Sequence, residues 1–525
     1  MRIPAWLYAD FTVEHLSGTQ AMLQNEDLKV VESERRLWGP WNYVTFWLSD
    51  SININTWMII SAMIGGTGGL SWWEAWLCVW IGYTITAIFM CISGRIGAIH
   101  HISFPVVGRA SFGIFGSLWP TLNRGVMACV WYGVQAWIGG QCVVICIRTI
   151  VPSYQYLHNT LPTSSGTNTR DFIGFFIFWA LSNIAIWFPV QKIRHLFTVK
   201  SIVVPIAGIL LFVWAVVKAK GIGSIIHQST TLRPTSTSSI RGWAWIIGIM
   251  SCISSFASLI INNPDYTRFA TRPSAVIWTQ MITIPLGFSI TSFIGVIVGS
   301  SSKVIYGEEI WNPIELLNEF LNNRPSSATR AGVFFISLAF CLSQLGLNIA
   351  ANSVSAGCDL TALCPKFLNF RRSGYICSIV GLCICPWQLL SSSSTFLSYI
   401  SAYSTFVSSI AGVMFCDYYL VRREHLNTNE LYSSSSNGLY YYKYGINWRA
   451  YVAYIAGILI NVFGFAGAVG AHVSSTVTKM YQLNFFLGII VSSAVYYGLH
   501  QLSPIKIYSY KENKLSSGKL QVTVF

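Results

Sequence analysis

Four residues apart on one apolar run, Trp131 and Gln135 offer a flat indole and a carboxamide on the same helical face. An indole can stack on a planar ring, a contact worth about 1–3 kcal/mol per base. A glutamine amide carries both a donor and an acceptor and can pair with an N–H/C=O edge. A second apolar run holds Asn348 and Asn352, again at spacing four. Buried amides are costly unless a neighbouring helix or a ligand satisfies them. Phe256, beside a polar stretch in a third run, supplies a second aromatic wall. For each of these there is a plainer reading: packing for the rings and helix–helix hydrogen bonds for the amides. Among the carboxylates, Asp50 stands inside an apolar run and is the candidate for carrying a proton. Glu74, Asp265, Asp359 and Asp417 stand near run ends, the last three at inner ends where they can cap helices or pair with Arg268 or Arg422. Lys200 is a further ionisable group inside a run, or one that reaches to the membrane surface.

The elements that must position these groups are membrane helices. Of 525 residues, 53% are hydrophobic and 10% charged, with a mean hydropathy of +0.52. Apolar runs of about 20 residues, enough to cross a bilayer, recur along the chain. Twelve spans are expected, near 43–65, 71–93, 120–147, 171–190, 196–217, 242–262, 275–300, 331–357, 374–391, 393–415, 449–470 and 482–501. Polar tails at 1–42 and 502–525 flank this single unit, and 428–446 reads as a polar linker. The net charge of +14 does not indicate nucleic acid, because the basic residues are spread over short inter-helix segments. With both termini inside, the inner segments carry roughly twice as many Lys and Arg as the outer ones. The N-terminus lacks an apolar signal core, so the first span serves as its own insertion signal. Most of the 13 cysteines, among them Cys78, Cys91, Cys129, Cys252, Cys341, Cys383 and Cys385, lie in apolar runs without a CxxC pair and read as packing residues.

Two spans are interrupted. The first contains Asp50-Ser51-Ile52-Asn53-Ile54-Asn55-Thr56, and the sixth has Ser251, Ser254 and Ser255 before Asn262-Asn263-Pro264-Asp265. Irregular backbone at membrane depth persists only where it lines a cavity or is buried in protein. These are corresponding members of two five-helix halves, the repeats about 43–217 and 242–415. Paired interruptions of this kind point to a binding site near the midplane.

The runs Trp47 to Trp57, Val130 to Gln135, His195 to Lys200, Asn263 to Phe269 and Arg330 to Phe334 resemble the nucleobase-cation-symport-1 family, over about residues 25–500. The similarity is greatest to its fungal uracil, allantoin and uridine permease branch. The resemblance implies an all-α, LeuT-like fold of two inverted five-helix repeats plus two peripheral helices (about 449–501), working by alternating access. It puts Trp131 and Gln135 at the family's stacking tryptophan and binding glutamine, Phe256 at the second aromatic position and Asn352 at the binding asparagine. Sodium-coupled members carry hydroxyl residues just before the position of Asn348, where this chain has Gly346-Leu347. Loss of those oxygen ligands favours proton coupling over a hard-cation site.

The expectation is therefore a multi-pass plasma-membrane symporter that takes up a heterocycle with a proton. Uracil is the first choice and allantoin, uridine or thiamine the alternatives. Its partners are that small molecule, the proton and the lipid bilayer, with no nucleic acid, cofactor or metal. A nutrient sensor using the same pocket is the rival from another class, but tails of 42 and 24 residues give it little output domain. No nucleophile–base pair, metal cluster or phosphate loop supports an enzyme.

Overall fold

The computed structural model describes residues 18–23, 28–64, 69–188, 190–221, 238–307, 310, 312–322, 325–507 and 523–524. Residues 1–17 and 24–27 of the expected N-terminal tail, and 508–522 and 525 of the C-terminal one, lie outside them. Apart from a two-residue strand pair, Lys506–Ile507 with Thr523–Val524, the regular structure is helical.

In chain order, after a six-residue helix at Gly18–Leu23, the helices are α1 (Pro40–Ser51), α2 (Ile54–Ile64), α3 (Trp72–His100), α4 (Phe104–Phe112), α5 (Leu118–Ile150), α6 (Thr169–Trp187) and α7 (Val190–Lys218). There follow α8 (Ser238–Ser255), α9 (Ala257–Asn262), α10 (Pro264–Thr267), α11 (Pro273–Tyr306), α12 (Pro313–Phe320) and α13 (Ser327–Leu347), which runs through a wider π turn at Asn348–Ser353 into α14 (Val354–Leu363). The last are α15 (Phe370–Cys383), α16 (Ser393–Phe415), α17 (Trp448–Ala468), α18 (Ser475–Tyr481) and α19 (Asn484–Leu502). Among the described residues, nine helices are long and apolar enough to cross a membrane, or ten if the bent unit α8–α10 counts as one.

Two expected spans look different for physical reasons. The first is split at Ile52–Asn53, so neither α1 nor α2 has the length of a crossing on its own. The ninth is only the 14-residue α15, because Cys385 sits in the left-handed region (φ 53°) and Pro386 cannot continue a helix. That turn also leaves Cys383 and Cys385 exposed rather than packed, while Cys78, Cys91, Cys129 and Cys252 are buried as expected.

Three groups of helices pack together. In one, α3 and α11 lie along each other and carry α1 and α8; in another, α5 is surrounded by α6, α13, α14 and α15; in the third, α16 packs on α17 and α19. Small residues set the close crossings, as membrane helices require where apolar burial gives no net drive. Gly133, between Trp131 and Gln135 on α5, faces Gly381 of α15, and a Cβ on it would sit 2.6 Å from the Gly381 carbonyl oxygen. Gly133→Val is expected to push α5 away and destabilise the protein by about 1–3 kcal/mol, the usual cost of overpacking. A thermal midpoint equal to wild type in the purified protein would show that this crossing does not hold the site.

Candidate functional site

Both interruptions are held open by side chains. At the first, Ile52 leaves helical geometry (φ −88°, ψ 81°). Asn53 Nδ2 donates to the Asp50 carbonyl at 2.5 Å, and Asn53 Oδ1 accepts from the Thr56 N–H at 2.9 Å. One amide thus closes the end of α1 and caps the start of α2. Ser343 of α13 adds a hydrogen bond to the Ile52 carbonyl at 3.0 Å. At the second, Phe256 (φ −100°, ψ −1°) separates α8 from α9, with a bend of 40°. The Tyr403 hydroxyl of α16 donates to the Ser254 carbonyl at 2.6 Å and to that of Ser255 at 3.2 Å. The carbonyls freed at each break are therefore taken up by side chains, from the break itself or from another helix, as the absence of water at that depth requires.

Between the two breaks lies a cavity whose lining includes Asp50, Trp131, Gln135, Phe256 and Asn352. Five of the six residues singled out in the sequence thus come together. Trp131 packs against Tyr399 and Tyr403, with ring centroids 5.8 and 6.2 Å away. Phe256 is backed edge-on by Tyr83 (5.6 Å) and Phe288 (5.0 Å), which stack on each other at 4.1 Å. Among the described residues Gln135 makes no hydrogen bond, and its Oε1 is buried without a partner. Asn352 donates to Asn348 Oδ1 at 3.0 Å.

Asn348 is placed differently from the other five. It does not line the cavity. Its amide donates to the Tyr132 carbonyl at 3.2 Å and accepts from Asn352, so it acts as the support behind Asn352. The cavity also takes in groups that spacing did not single out: Asn55, Tyr83, Arg124 and Phe288. Arg124 is a cation inside the third expected span. Its Nη1 meets Asp359 Oδ2 at 2.8 Å with both side chains buried. A cation inside an apolar run, with a carboxylate just beyond the end of another, was the available signal.

The remaining carboxylates have partners. Asp359 pairs with Arg124 rather than Arg268. Asp265 accepts the Phe104 N–H at 2.8 Å. Asp417 pairs with Arg422 at 2.8 Å, and Glu74 with Arg241 at 2.6 Å. Asp50 differs: its carboxylate makes no hydrogen bond or close ion pair among the described residues, and the ammonium of buried Lys200 on α7 is the charge that acts on it.

A bundle of apolar helices around a polar cavity between two broken helices defines a multi-pass membrane transporter. A family model described as "Permease for cytosine/purines, uracil, thiamine, allantoin" matches residues 30–488, and the chain belongs to that family of transporters, not to an enzyme family. The allantoin permease of Saccharomyces cerevisiae is 43% identical over 511 residues, covering 95% of this chain and 79% of that permease. The uracil permease of the same yeast is 41% identical over 511 residues, with the same coverage of 95% and 79%. Among solved structures, Mhp1, described as a nucleobase-cation-symport-1 family transporter and closed with bromovinylhydantoin bound, shares the fold. Its TM-score is 0.72 at 21% identity, over 92% of this chain and 97% of that one.

Removing one partner of a buried ion pair leaves an uncompensated charge, at about 3–5 kcal/mol. Asp359→Asn is expected to lower the thermal midpoint strongly, and Arg124→Gln combined with Asp359→Asn to recover much of the loss. Equal midpoints for wild type and Asp359→Asn would mean that the pair contributes nothing to stability.

Proposed function

We propose that this chain is a proton-coupled symporter that takes up a nucleobase or related heterocycle across the plasma membrane, with uracil the first choice and allantoin the nearest alternative. The observation that carries the reading is the cavity between the two broken helices, with an aromatic wall on each helix group and a free Gln135 amide in it. In this reading the chain has twelve spans arranged as two inverted repeats of five, about 43–217 and 242–415, with two peripheral helices and both termini in the cytoplasm. The ring lies between Trp131 and Phe256, while Gln135 and Asn352 pair with its polar edge. Asn348 holds Asn352 in position. Names of relatives support the substrate class: permeases for uracil and for allantoin are both more than 40% identical.

Proton coupling through Asp50 is supported by its place at the break and its lack of a fixed partner. It is supported further by what fills the space beside Gly346. A Cβ at Gly346 would lie 3.0 Å from Lys200 Cδ, so the lysine stem occupies the room that a side chain at this position would need. An apolar stem in that place offers no oxygen ligand to a free cation. In the cycle, protonation of Asp50 and closure around the ring favour the same state. The gradient drives accumulation because ring and proton move together.

The deciding measurement is uptake of radiolabelled uracil by cells without pyrimidine transporters of their own, at acid and mildly alkaline pH, with allantoin, uridine and thiamine as competitors. Saturable uptake that rises at acid pH and collapses with a protonophore is expected. Surface-expressed protein that carries none of the four would overturn the assignment. In Asp50→Asn, exchange of internal for external substrate should persist while uphill accumulation is lost. If that variant still accumulates substrate, the proton is carried elsewhere.

A further inference from the structure

Ser254, the last residue but one of α8, is gripped by both of its polar groups. Its carbonyl accepts from the Tyr403 hydroxyl at 2.6 Å, and its own hydroxyl donates to Ser404 Oγ at 3.2 Å. Tyr403 and Ser404 are neighbours on α16, so one turn of that helix holds the end of the broken one. The turn is itself clipped from its far side. Asn484, the first residue of α19, donates through Nδ2 to the Ser401 carbonyl at 2.9 Å. Its Oδ1 accepts the Ser404 hydroxyl at 2.8 Å, closer than that hydroxyl lies to the Ser401 carbonyl, at 3.0 Å. A carbonyl can only accept, so the amide nitrogen must face Ser401 and the amide oxygen Ser404. The donors then run one way, from Ser254 to Ser404 to Asn484 to the Ser401 carbonyl. From α17, Asn461 donates to the Asn484 carbonyl at 3.1 Å. Asn484, Ser404, Ser254 and Asn461 are all buried.

We propose that Asn484 is a positioning residue for the cavity: through Ser404 and Ser254 it fixes the second break, and with it Phe256, against α16. The inference rests on the heterocycle-transport reading for what is bound and goes beyond it in what holds the site. It gives α17 and α19, the two helices outside the proposed repeats, a part in substrate binding although neither lines the cavity. The same turn of α16 bears on both aromatic walls. Tyr403 meets the Trp131 ring at 6.2 Å, while Tyr403 and Ser404 together hold the residue two before Phe256. The plainer role for Asn484 is to fasten α19 to α16, since amides commonly join membrane helices. Small residues already do that. Gly488 fits against Ser408, Gly412 against Ser492 and Gly457 against Ser409, and a Cβ at any of the three glycines would collide with the serine. A buried amide is costly beside an apolar side chain of its size. Its place at the level of the break is explained by the direction it imposes on the Ser404 hydroxyl, which leaves Ser404 Oγ free to accept from Ser254.

The test uses the full chain in lipid nanodiscs, with hydrogen exchange by mass spectrometry and binding of labelled uracil read on each variant. In Asn484→Ala the amides of 251–258 are expected to exchange about threefold or more faster than in wild type, the scale of one interhelical hydrogen bond in a membrane. Uracil affinity falls by a similar factor. Ser404→Ala removes only a hydroxyl from the middle of the relay and gives the same two changes, so it carries the test if Asn484→Ala does not fold. The double variant loses no more affinity than the weaker-binding single one, because both substitutions cut one chain. Exchange that quickens only in α19 and at 401–405, with 251–258 and uracil affinity unchanged, makes Asn484 a fastener of α19 and overturns the inference. Losses of affinity that multiply in the double variant overturn it too, as does faster exchange at 251–258 with wild-type affinity. If wild type binds none of uracil, allantoin, uridine and thiamine while exchange at 251–258 still responds, the heterocycle reading falls and the positioning role stands. Uracil binding with 251–258 unmoved by either variant does the reverse.

Discussion

A peptide group that loses its helical partner inside a bilayer has no water to turn to, and each such group costs several kcal/mol unless protein supplies a substitute. At the first break that substitute is the single amide of Asn53, helped by Ser343 from α13. At the second it is the phenol of Tyr403 from α16. These two solutions require α13 and α16 to reach the broken helices. The same approach closes the sides of the cavity: Tyr403 brings Trp131 against its ring, and the turn beyond Ser343 leads to Asn348 and Asn352. The walls of the cavity follow from the need to satisfy the backbone.

Charge is handled by the same economy. Arg124, Asp359, Asp417 and Arg422 are almost wholly buried, and each finds an opposite charge at 2.8 Å. Glu74 collects Ser71, Arg241 and Trp245, tying α3 to α8. Such clusters fix helices relative to one another. Against them Asp50 stands out as a carboxylate whose surroundings leave it without a close partner, at the point where the backbone is also irregular. On the proposed proton coupling, a residue that gains and loses a proton during the cycle cannot be locked into a permanent ion pair.

Aromatic residues divide the work in a comparable way. Phe256 is held from behind by Tyr83 and Phe288, so its ring has a fixed attitude toward the cavity. Trp131 rests on Tyr399 and Tyr403, residues of the helix that also stabilises the second break. Any shift of α16 therefore acts on one wall of the cavity and on the backbone that carries the other.

The apolar runs, the two polar interruptions and the pairs Trp131/Gln135 and Asn348/Asn352 were legible in the amino-acid sequence, because each is a local property: span length, hydrogen-bonding capacity, and a helical period that puts i and i+4 on one face. What a face meets is not local. Trp131 and Gln135 both reach the cavity, whereas Asn348, with the same spacing to Asn352, is turned to the Tyr132 carbonyl of α5. Asn55 looked like one more polar residue of the first break, and only the packing of α2 against the rest placed it in the cavity lining while the amide of Asn53 was absorbed into capping. Arg124 and Asp359 lie 235 residues apart in the chain, a separation at which no pattern pairs them. The sequence by itself determined where helices run and which segments cannot be regular. The tertiary structure decided which polar groups are used up in holding those segments and which remain for a ligand, since a buried donor or acceptor is satisfied only where the packing delivers a neighbour.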